Sequence, residues 1–542
     1  MPESRNKSDR GSTWRLRSRL GRWRLALFAF VAVYFVALSF NLSNTAVQWD
    51  EVNHLTGGLL LVRGNLIQYF LTSSFYPPMF NLATAAFFTA ASPSVFAARL
   101  VALTFSAFSI IAVFELARRM YGSKTGLVSA ILFAFMPGVV WLSRIALIET
   151  MMIFVFLASM LYFFEWLETS RERDLTISIV AFVIGCVVKY QILVLVPVIM
   201  VASMLIFGKK NYLKARISRI FKFPILISTV AALAVAAVAV FELYAYGLLG
   251  VLWFSIQTGT ASRTLYSSTY LAPIFYFVEM TVQPGGVHPI SIIVYALALG
   301  GIGLFALRRR SSDKFLIICF STVYVVFTII PNKDWRYVIL LFPILAIAAS
   351  NLLVLSVEKM ARTWQSPTVS NTRKQIVKFA AVCLIVFALS GIFLSFSDAQ
   401  NWLSTEQQKL PIEQATAYAS QTLGSNQSIA VACPLNLMNN YLVWFYLNAK
   451  NPSQGTVWQY PTQAVDAYTP SFSTTNFINM CQQNNAKYVF LYEYGGLNYF
   501  NSNLTSNDIS AMLIDSGRFV LVDTFGNPPN LIFVFAFYYR FN

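Results

Sequence analysis

The sequence predicts a polytopic α-helical membrane protein that ends in a small α/β domain, and three observations carry that prediction. Of the 542 residues, 57% are hydrophobic and only 12% are charged, with a mean hydropathy of +0.59; soluble domains carry about 25% charged residues. Long uncharged stretches recur from Leu25 to Phe396, and a helix needs about 20 apolar residues to cross a hydrocarbon layer of ~30 Å. Near Asp398 this pattern stops, and a tail rich in Gln, Asn, Ser and Tyr begins.

Residues 1–24 form a basic leader with Arg5, Lys7, Arg10, Arg15, Arg17, Arg19, Arg22 and Arg24. The leader is too basic for a cleavable signal, and no small-x-small site follows Phe40, so Leu25 to Asn41 reads as a retained first span. Apolar length and basic flanks place crossings at 25–41, 97–117, 125–141, 145–164, 175–188, 191–207, 223–247, 288–307, 315–331, 337–357 and 376–397. The apolar segment Met79 to Ala91 is too short for an ordinary span and reads as re-entrant or interfacial, so the expected total is eleven to thirteen.

Basic residues cluster between the spans, at Arg118-Arg119 and Lys124, Arg171 and Arg173, Lys209 to Lys222, Arg308 to Lys314 and Lys359 to Lys378. By the positive-inside rule these clusters and the amino terminus are cytoplasmic. The net charge of +17 therefore reflects topology, and no nucleic-acid partner is implied. The spans 25–397 form one module with outer loops at 42–96 and 248–287, an outer corner at 141–145, and an extracytoplasmic domain at 398–542.

In that tail, Ser428 to Cys433, Tyr488 to Tyr492 and Phe519 to Val522 read as short buried strands, and Ile412 to Leu423 as a helix. Cys433 and Cys481 are the residues a tail disulfide would use, while Cys186, Cys319 and Cys383 sit in apolar spans as buried thiols. Asn41, Asn426 and Asn503 open glycosylation acceptor patterns on the outer side. Only His54 and His288 are histidines, which argues against a His-rich zinc site and against a Ser-His-Asp hydrolase. No Walker loop or glycine fingerprint is present, so a nucleotide cofactor or nucleotide-sugar donor is not expected.

The residues that carry chemistry lie in the outer segments. Trp49-Asp50-Glu51 places two adjacent carboxylates just past the first span of an acid-poor chain. Charge near the membrane is costly unless it is solvated, paired or used, which marks Asp50 and Glu51 as catalytic candidates; a helix cap at Asp50 is the plainer alternative. His54 is one helical turn from Asp50 and shares its face, as a substrate contact or as the group that orients Asp50. Tyr76 leads into the Pro77-Pro78 turn. Arg144 and Glu149 lie at the outer corner: Arg144 as partner to a first-loop acid, Glu149 as a substrate or metal contact, with an interhelical ion pair as the alternative. Lys189 and Arg336-Tyr337 put isolated cations at outer span ends, where they suit a lipid phosphate or serve as interfacial anchors.

This ordered set resembles the GT-C membrane glycosyltransferases. It comprises the first-loop Asp-Glu, the Pro-Pro re-entry, Ala98-Arg99-Leu100, Leu116 to Gly122, Ser143-Arg144-x-Ala146-Leu147-x-Glu149, Lys189, and Arg336-Tyr337 with Pro343. It is most similar to the protein mannosyltransferase and aminoarabinose transferase branch, glycosyltransferase family 39 and its relatives. The resemblance covers about residues 25–397 and implies a GT-C type fold and transfer of a sugar from a polyprenyl or dolichyl phosphate to an outer-face acceptor. In that reading Asp50 is the base or acceptor organiser, and Lys189 and Arg336 meet the donor phosphate. The chain departs from the pattern in Tyr76-Pro77-Pro78-Met79, where the family often has His or Lys, and in Glu149, where it commonly has Asp.

The expected partners are a polyprenyl-phosphate sugar donor, a lipid, glycan or protein acceptor, and membrane lipids. Mg²⁺ or Mn²⁺ held by Asp50 and Glu149 through oxygen alone is the expected cofactor, if any. A polytopic transporter or lipid flippase is the competing class; it would place charges near the midplane on broken helices and show internal repeats, which this chain lacks.

Overall fold

The computed structural model describes residues 8–72, 76–207, 257, 270–282, 288–405, 409–433, 438–450, 455–460, 472–494, 498–499 and 504–539. The expected span at 223–247, most of the 248–287 loop and Asn503 lie outside them. Among the described residues six helices are long and apolar enough to cross a membrane: Gly21–Ser39, Val95–Tyr121, Glu149–Thr169, Ser311–Ile329, Trp335–Gln365 and Asn371–Ser404. A bent pair, Ser123–Ala134 and Pro137–Ser143, passes the same test jointly, and Met79–Ala91, Tyr190–Leu205 and Ile292–Arg308 are shorter apolar helices.

The 68° bend of that pair has a local cause. Pro137 offers no backbone N–H and its ring clashes with the preceding turn, so one helix ends and Pro137 starts the next. Gly138 then donates its N–H to Pro289 O at 2.9 Å and lies so close to Trp335 that a Cβ would stand 2.8 Å from the indole. Trp141, Trp335 and Trp402 cluster beside it.

The chain divides into two compact units. Residues 1–41, 74–80 and 102–405 form the first. Within it, buried hydroxyls join helices where the surroundings are apolar: Tyr34 and Ser143 are 3.0 Å apart, and Ser143 donates to Ser106 at 2.7 Å. Helix Ile292–Arg308 packs directly on Phe342–Gln365 at Gly301, where a Cβ would stand 2.1 Å from the Ala348 carbonyl oxygen. Only a residue without a side chain permits that approach.

Residues 42–73, 81–101 and 406–542 form the second unit, so this division cuts across the linear one into leader, module and tail. Its core is a mixed sheet of β1 (Ser428–Ala432), β2 (Thr456–Tyr460), β3 (Ala486–Tyr494), β6 (Phe519–Asn527) and β7 (Asn530–Phe537), in the order β2-β1-β3-β7-β6. β1 runs parallel to both β2 and β3, and β7 is antiparallel to β3 and β6. β1 is buried along its whole length, which is why its sequence reads as an unbroken apolar run. A two-stranded ribbon of β4 (Asn498–Tyr499) and β5 (Leu504–Thr505) is separate.

The three expected strand segments fall in β1, β3 and β6, and the expected helix runs Ile412–Ser420; β6 is an edge strand, so beyond buried Phe519 its Val520, Leu521 and Val522 are exposed and not buried as expected. Helix Trp49–Val62 packs on Asn440–Lys450, with Phe88 against Phe445 and Arg63 reaching Asn448. Cys433 and Cys481 are both free and buried, which overturns the tail disulfide: each thiol is enclosed on a different element, one after β1 and one in helix Thr474–Gln483.

Candidate active site

Helix Trp49–Val62 opens two residues earlier than a cap at Asp50 requires: Gln48 is the cap, and its N–H donates to Glu51 Oε2 at 2.8 Å. Asp50 and Glu51 both sit in the first turn, where the helix dipole favours negative charge. Their environments differ. Glu51 is fully buried and forms a bidentate pair with the fully buried Arg99, Nε to Oε1 and NH2 to Oε2, both at 2.8 Å. Arg99 also donates to Leu42 O at 2.9 Å, Ala46 O at 2.8 Å and Thr45 Oγ1 at 2.7 Å. One guanidinium thus ties the start of helix Val95–Tyr121 to the strand-like entry of the loop and to the turn that presents half-buried Asp50.

His54 is buried, and its Nδ1 lies 2.6 Å from Asn81 Oδ1; the Asn81 amide donates on to Tyr69 OH at 3.2 Å. Helix Trp49–Val62 is thereby fixed in rotation by two polar links to Asn81 and Arg99. Tyr76 lies just before helix Met79–Ala91 in the other unit.

The first unit holds the remaining candidates. Glu149 begins helix Glu149–Thr169, and Lys189 ends helix Glu172–Val188 in an extended conformation, φ −158°. Their side chains meet, Nζ to Oε1 at 2.7 Å, with 12% and 4% of each exposed. Arg144, at the end of Pro137–Ser143, donates to the carbonyls of Leu38 at 2.7 Å, Phe40 at 3.0 Å and Asn41 at 3.0 Å. Its guanidinium therefore fastens the end of the first span, while Glu51 of the first loop pairs with Arg99.

Arg336 opens the 3-10 segment Trp335–Leu341, and Asp334 grips it twice: the carboxylate accepts the Arg336 N–H at 2.8 Å and Nε at 2.9 Å. The Tyr337 hydroxyl accepts from Asn332 Nδ2 at 2.6 Å. Lys333 is buried and donates to the carbonyls of Phe327, Thr328 and Ile330, which satisfies the frayed end of helix Ser311–Ile329; burial lowers its pKa. The segment Trp335–Leu341 packs against helix Glu149–Thr169 on one side and helix Ala272–Glu279 on another. The Lys189 and Arg336 cations thus belong to one unit, and helix Glu149–Thr169, whose Glu149 pairs with Lys189, packs on the segment that carries Arg336.

Among the described residues no three His, Cys, Asp or Glu side chains converge as a metal cluster. Of the two residues expected to hold a metal, Asp50 and Glu149, the second is neutralised by Lys189 and does not fit a divalent ion while that cation holds it.

Three polar residues here were not singled out from sequence for the roles they take. Arg99 appeared only within a motif; its signal is a lone arginine in the first turn of an apolar span. Asn81 is a lone amide in the apolar helix Met79–Ala91, and Glu279 a lone acid between Val278 and Met280.

Many apolar helices with a small mixed sheet, an acid pair opening the first loop helix and cations at span ends define a polytopic membrane protein with the GT-C glycosyltransferase fold. The likenesses are particular. Residues 76–244 match the model of the dolichyl-phosphate-mannose-protein mannosyltransferase family. ArnT from Cupriavidus metallidurans in the apo state superposes with a TM-score of 0.61 at 12% identity, over 95% of this chain and 98% of that one. The same protein bound to undecaprenyl phosphate gives 0.58 at 13% identity, over 94% and 98%. The oligosaccharyltransferase AglB from Archaeoglobus fulgidus, in complex with an inhibitory peptide and a dolichol-phosphate, gives 0.55 at 11% identity, over 86% of this chain and 69% of that one. No curated protein sequence matches the chain.

Proposed function

We propose that this protein transfers a sugar from a polyprenyl, dolichyl-type phosphate to an acceptor on the outer face of the membrane. Asp50 accepts the proton of the acceptor's nucleophile, or orients it, as that atom bonds to the anomeric carbon; the polyprenyl phosphate leaves with the electron pair of the broken bond. Lys189 and Arg336 meet the negative charge of the phosphate, Lys as a point charge and Arg through paired hydrogen bonds. The outer face follows from the basic clusters, which leave the first loop and the sheet-bearing tail extracytoplasmic.

The observation that carries this reading is the division of labour in the first loop. Glu51 is consumed by a buried pair with Arg99, while Asp50 beside it stays half-buried on a rigid first turn. A base must be positioned and reachable, and only one of the two acids is both. The match of residues 76–244 to a family named for dolichyl-phosphate-mannose, and the undecaprenyl- and dolichol-phosphate complexes of the similar folds, support the donor class.

The test is sugar transfer from radiolabelled polyprenyl-phosphate sugars in membranes carrying wild type or Asp50→Asn at matched expression. Transfer by wild type and its loss in the variant, at least ~10²-fold, is expected. Equal rates in both remove Asp50 from the chemistry.

A further inference from the structure

Helix Ala272–Glu279 carries two buried polar groups that the reading above does not use. The Tyr276 hydroxyl is buried with no side-chain hydrogen-bond partner among the described residues; the Asp334 backbone faces it. Glu279, one helical turn on and so on the same face, is 6% exposed, and among the described residues its carboxyl forms no hydrogen bond or ion pair. Buried polar groups are nearly always satisfied, and two such groups on one face, without a side-chain partner among the described residues, mark a place where a ligand can supply one.

The neighbours narrow what that partner is. The segment Trp335–Leu341 packs against this helix, and the adjoining Asp334 is already paired with Arg336 at 2.9 Å. Lys333 stands 5.4 Å over the Tyr276 ring with its ammonium committed to three carbonyls. From helix Ser311–Ile329, Tyr324 donates its hydroxyl to Pro273 O at 2.7 Å, and from Ile292–Arg308 the Tyr295 ring packs edge-on to Phe277 at 5.6 Å. Among the described residues around this helix the cations are already committed, Lys333 to carbonyls and Arg336 to Asp334, and a single carboxyl does not make a divalent site. Burial, reinforced by the Asp334 charge, pushes the Glu279 carboxyl up to about 7, and burial likewise raises the Tyr276 phenol. A neutral carboxyl and a phenol each donate and accept, which is the pattern that matches hydroxyl groups.

We propose that Tyr276 and Glu279 form a hydrogen-bonding subsite for a hydroxyl-bearing ring, the sugar of the lipid-linked donor, beside the segment that carries Arg336. This rests on the donor reading above and adds a residue-level determinant of sugar recognition. Lys189 and Arg336 then read the phosphate common to all such lipids, and Tyr276 with Glu279 reads what the phosphate carries.

The experiment is equilibrium binding of bare polyprenyl phosphate and of polyprenyl-phosphate sugars to the full chain in lipid nanodiscs, for wild type, Tyr276→Phe, Glu279→Ala and Glu279→Gln. Wild type is expected to prefer one sugar-bearing lipid over the bare phosphate by about tenfold at pH 6, the worth of one or two net hydrogen bonds. Tyr276→Phe and Glu279→Ala are expected to lower that preference to about twofold or less while binding bare phosphate normally, which also shows that they fold. The wild-type preference should weaken as pH rises through about 7, and the Glu279→Gln preference should not. Equal binding of both lipids by wild type, or an undiminished preference in Tyr276→Phe and Glu279→Ala, overturns the subsite. Binding of neither lipid overturns the donor reading itself, and the subsite falls with it.

Discussion

Replacing Arg99 by Met tests the lock beneath Asp50 most directly. Both members of the Glu51–Arg99 pair are fully buried, so the substitution leaves a carboxylate with no counter-charge and strips hydrogen bonds from Leu42, Thr45 and Ala46. Breaking a buried pair from one side costs about 3–5 kcal/mol. Glu51→Leu should cost a similar amount, since it strands the guanidinium and removes the acceptor for the Gln48 N–H. The double variant carries no stranded charge; the three loop oxygens and one amide lose the same partners in the single and double variants, so those losses cancel in the cycle and the coupling is the cost of stranding the charges. The double variant should therefore be more stable than the sum of the singles by about 3 kcal/mol. The assay is thermal unfolding of the detergent-purified protein, where Arg99→Met alone should lower Tm by roughly 10 °C for a unit of this size. A coupling below about 1 kcal/mol would mean that the pair does not hold the loop, and the argument that Glu51 is spent so that Asp50 is placed would fail with it.

Other outcomes follow from the same geometry. Lys189→Met should reduce affinity for bare polyprenyl phosphate about tenfold in the nanodisc assay, and Arg336→Met by a similar factor; unchanged affinity in both would move the phosphate elsewhere. The Glu279 carboxyl lies above its ordinary 4.5, at about 7, so its ionisation disfavours the native state. Wild type should lose stability relative to Glu279→Gln as pH rises from about 4.5, with the full penalty above 7, up to about 3 kcal/mol; parallel Tm–pH curves would contradict this. Gly301→Ala should destabilise by about 1–3 kcal/mol in the same unfolding assay, because the added methyl meets the Ala348 carbonyl at 2.1 Å and the helices must separate. Reductant should leave Tm unchanged, since Cys433 and Cys481 are free; a drop on reduction would show that they pair.

The features legible in the sequence are those with local causes. Ser311–Ile329 and Asn371–Ser404 announce themselves by apolar length, and the bend at Pro137 by a missing N–H. β1 shows as an apolar run because it is buried on both sides, and Asp50-Glu51 stands out because acids are rare in its context. Lys189 and Arg336 were visible as cations that break the positive-inside trend.

What the sequence left open is which group each charge faces, because partners distant in sequence are chosen by packing. Glu51 takes Arg99, not Arg144, because the start of helix Val95–Tyr121 lies against the first-loop turn. Glu149, readable as a metal or substrate ligand, takes Lys189 because Glu149–Thr169 and Glu172–Val188 pack as a hairpin that brings the start of one beside the end of the other. Tyr276 and Glu279 have no periodic or compositional mark at all; their significance lies in the burial of two polar groups on one helix face. The sequence by itself determined that this is a membrane protein of many helices, where its unusual charges stand, and the family they resemble, since hydropathy and composition act residue by residue. Only the tertiary structure decided which acid is neutralised and which stays reachable, because the energy of a charge depends on the counter-charge and solvent around it.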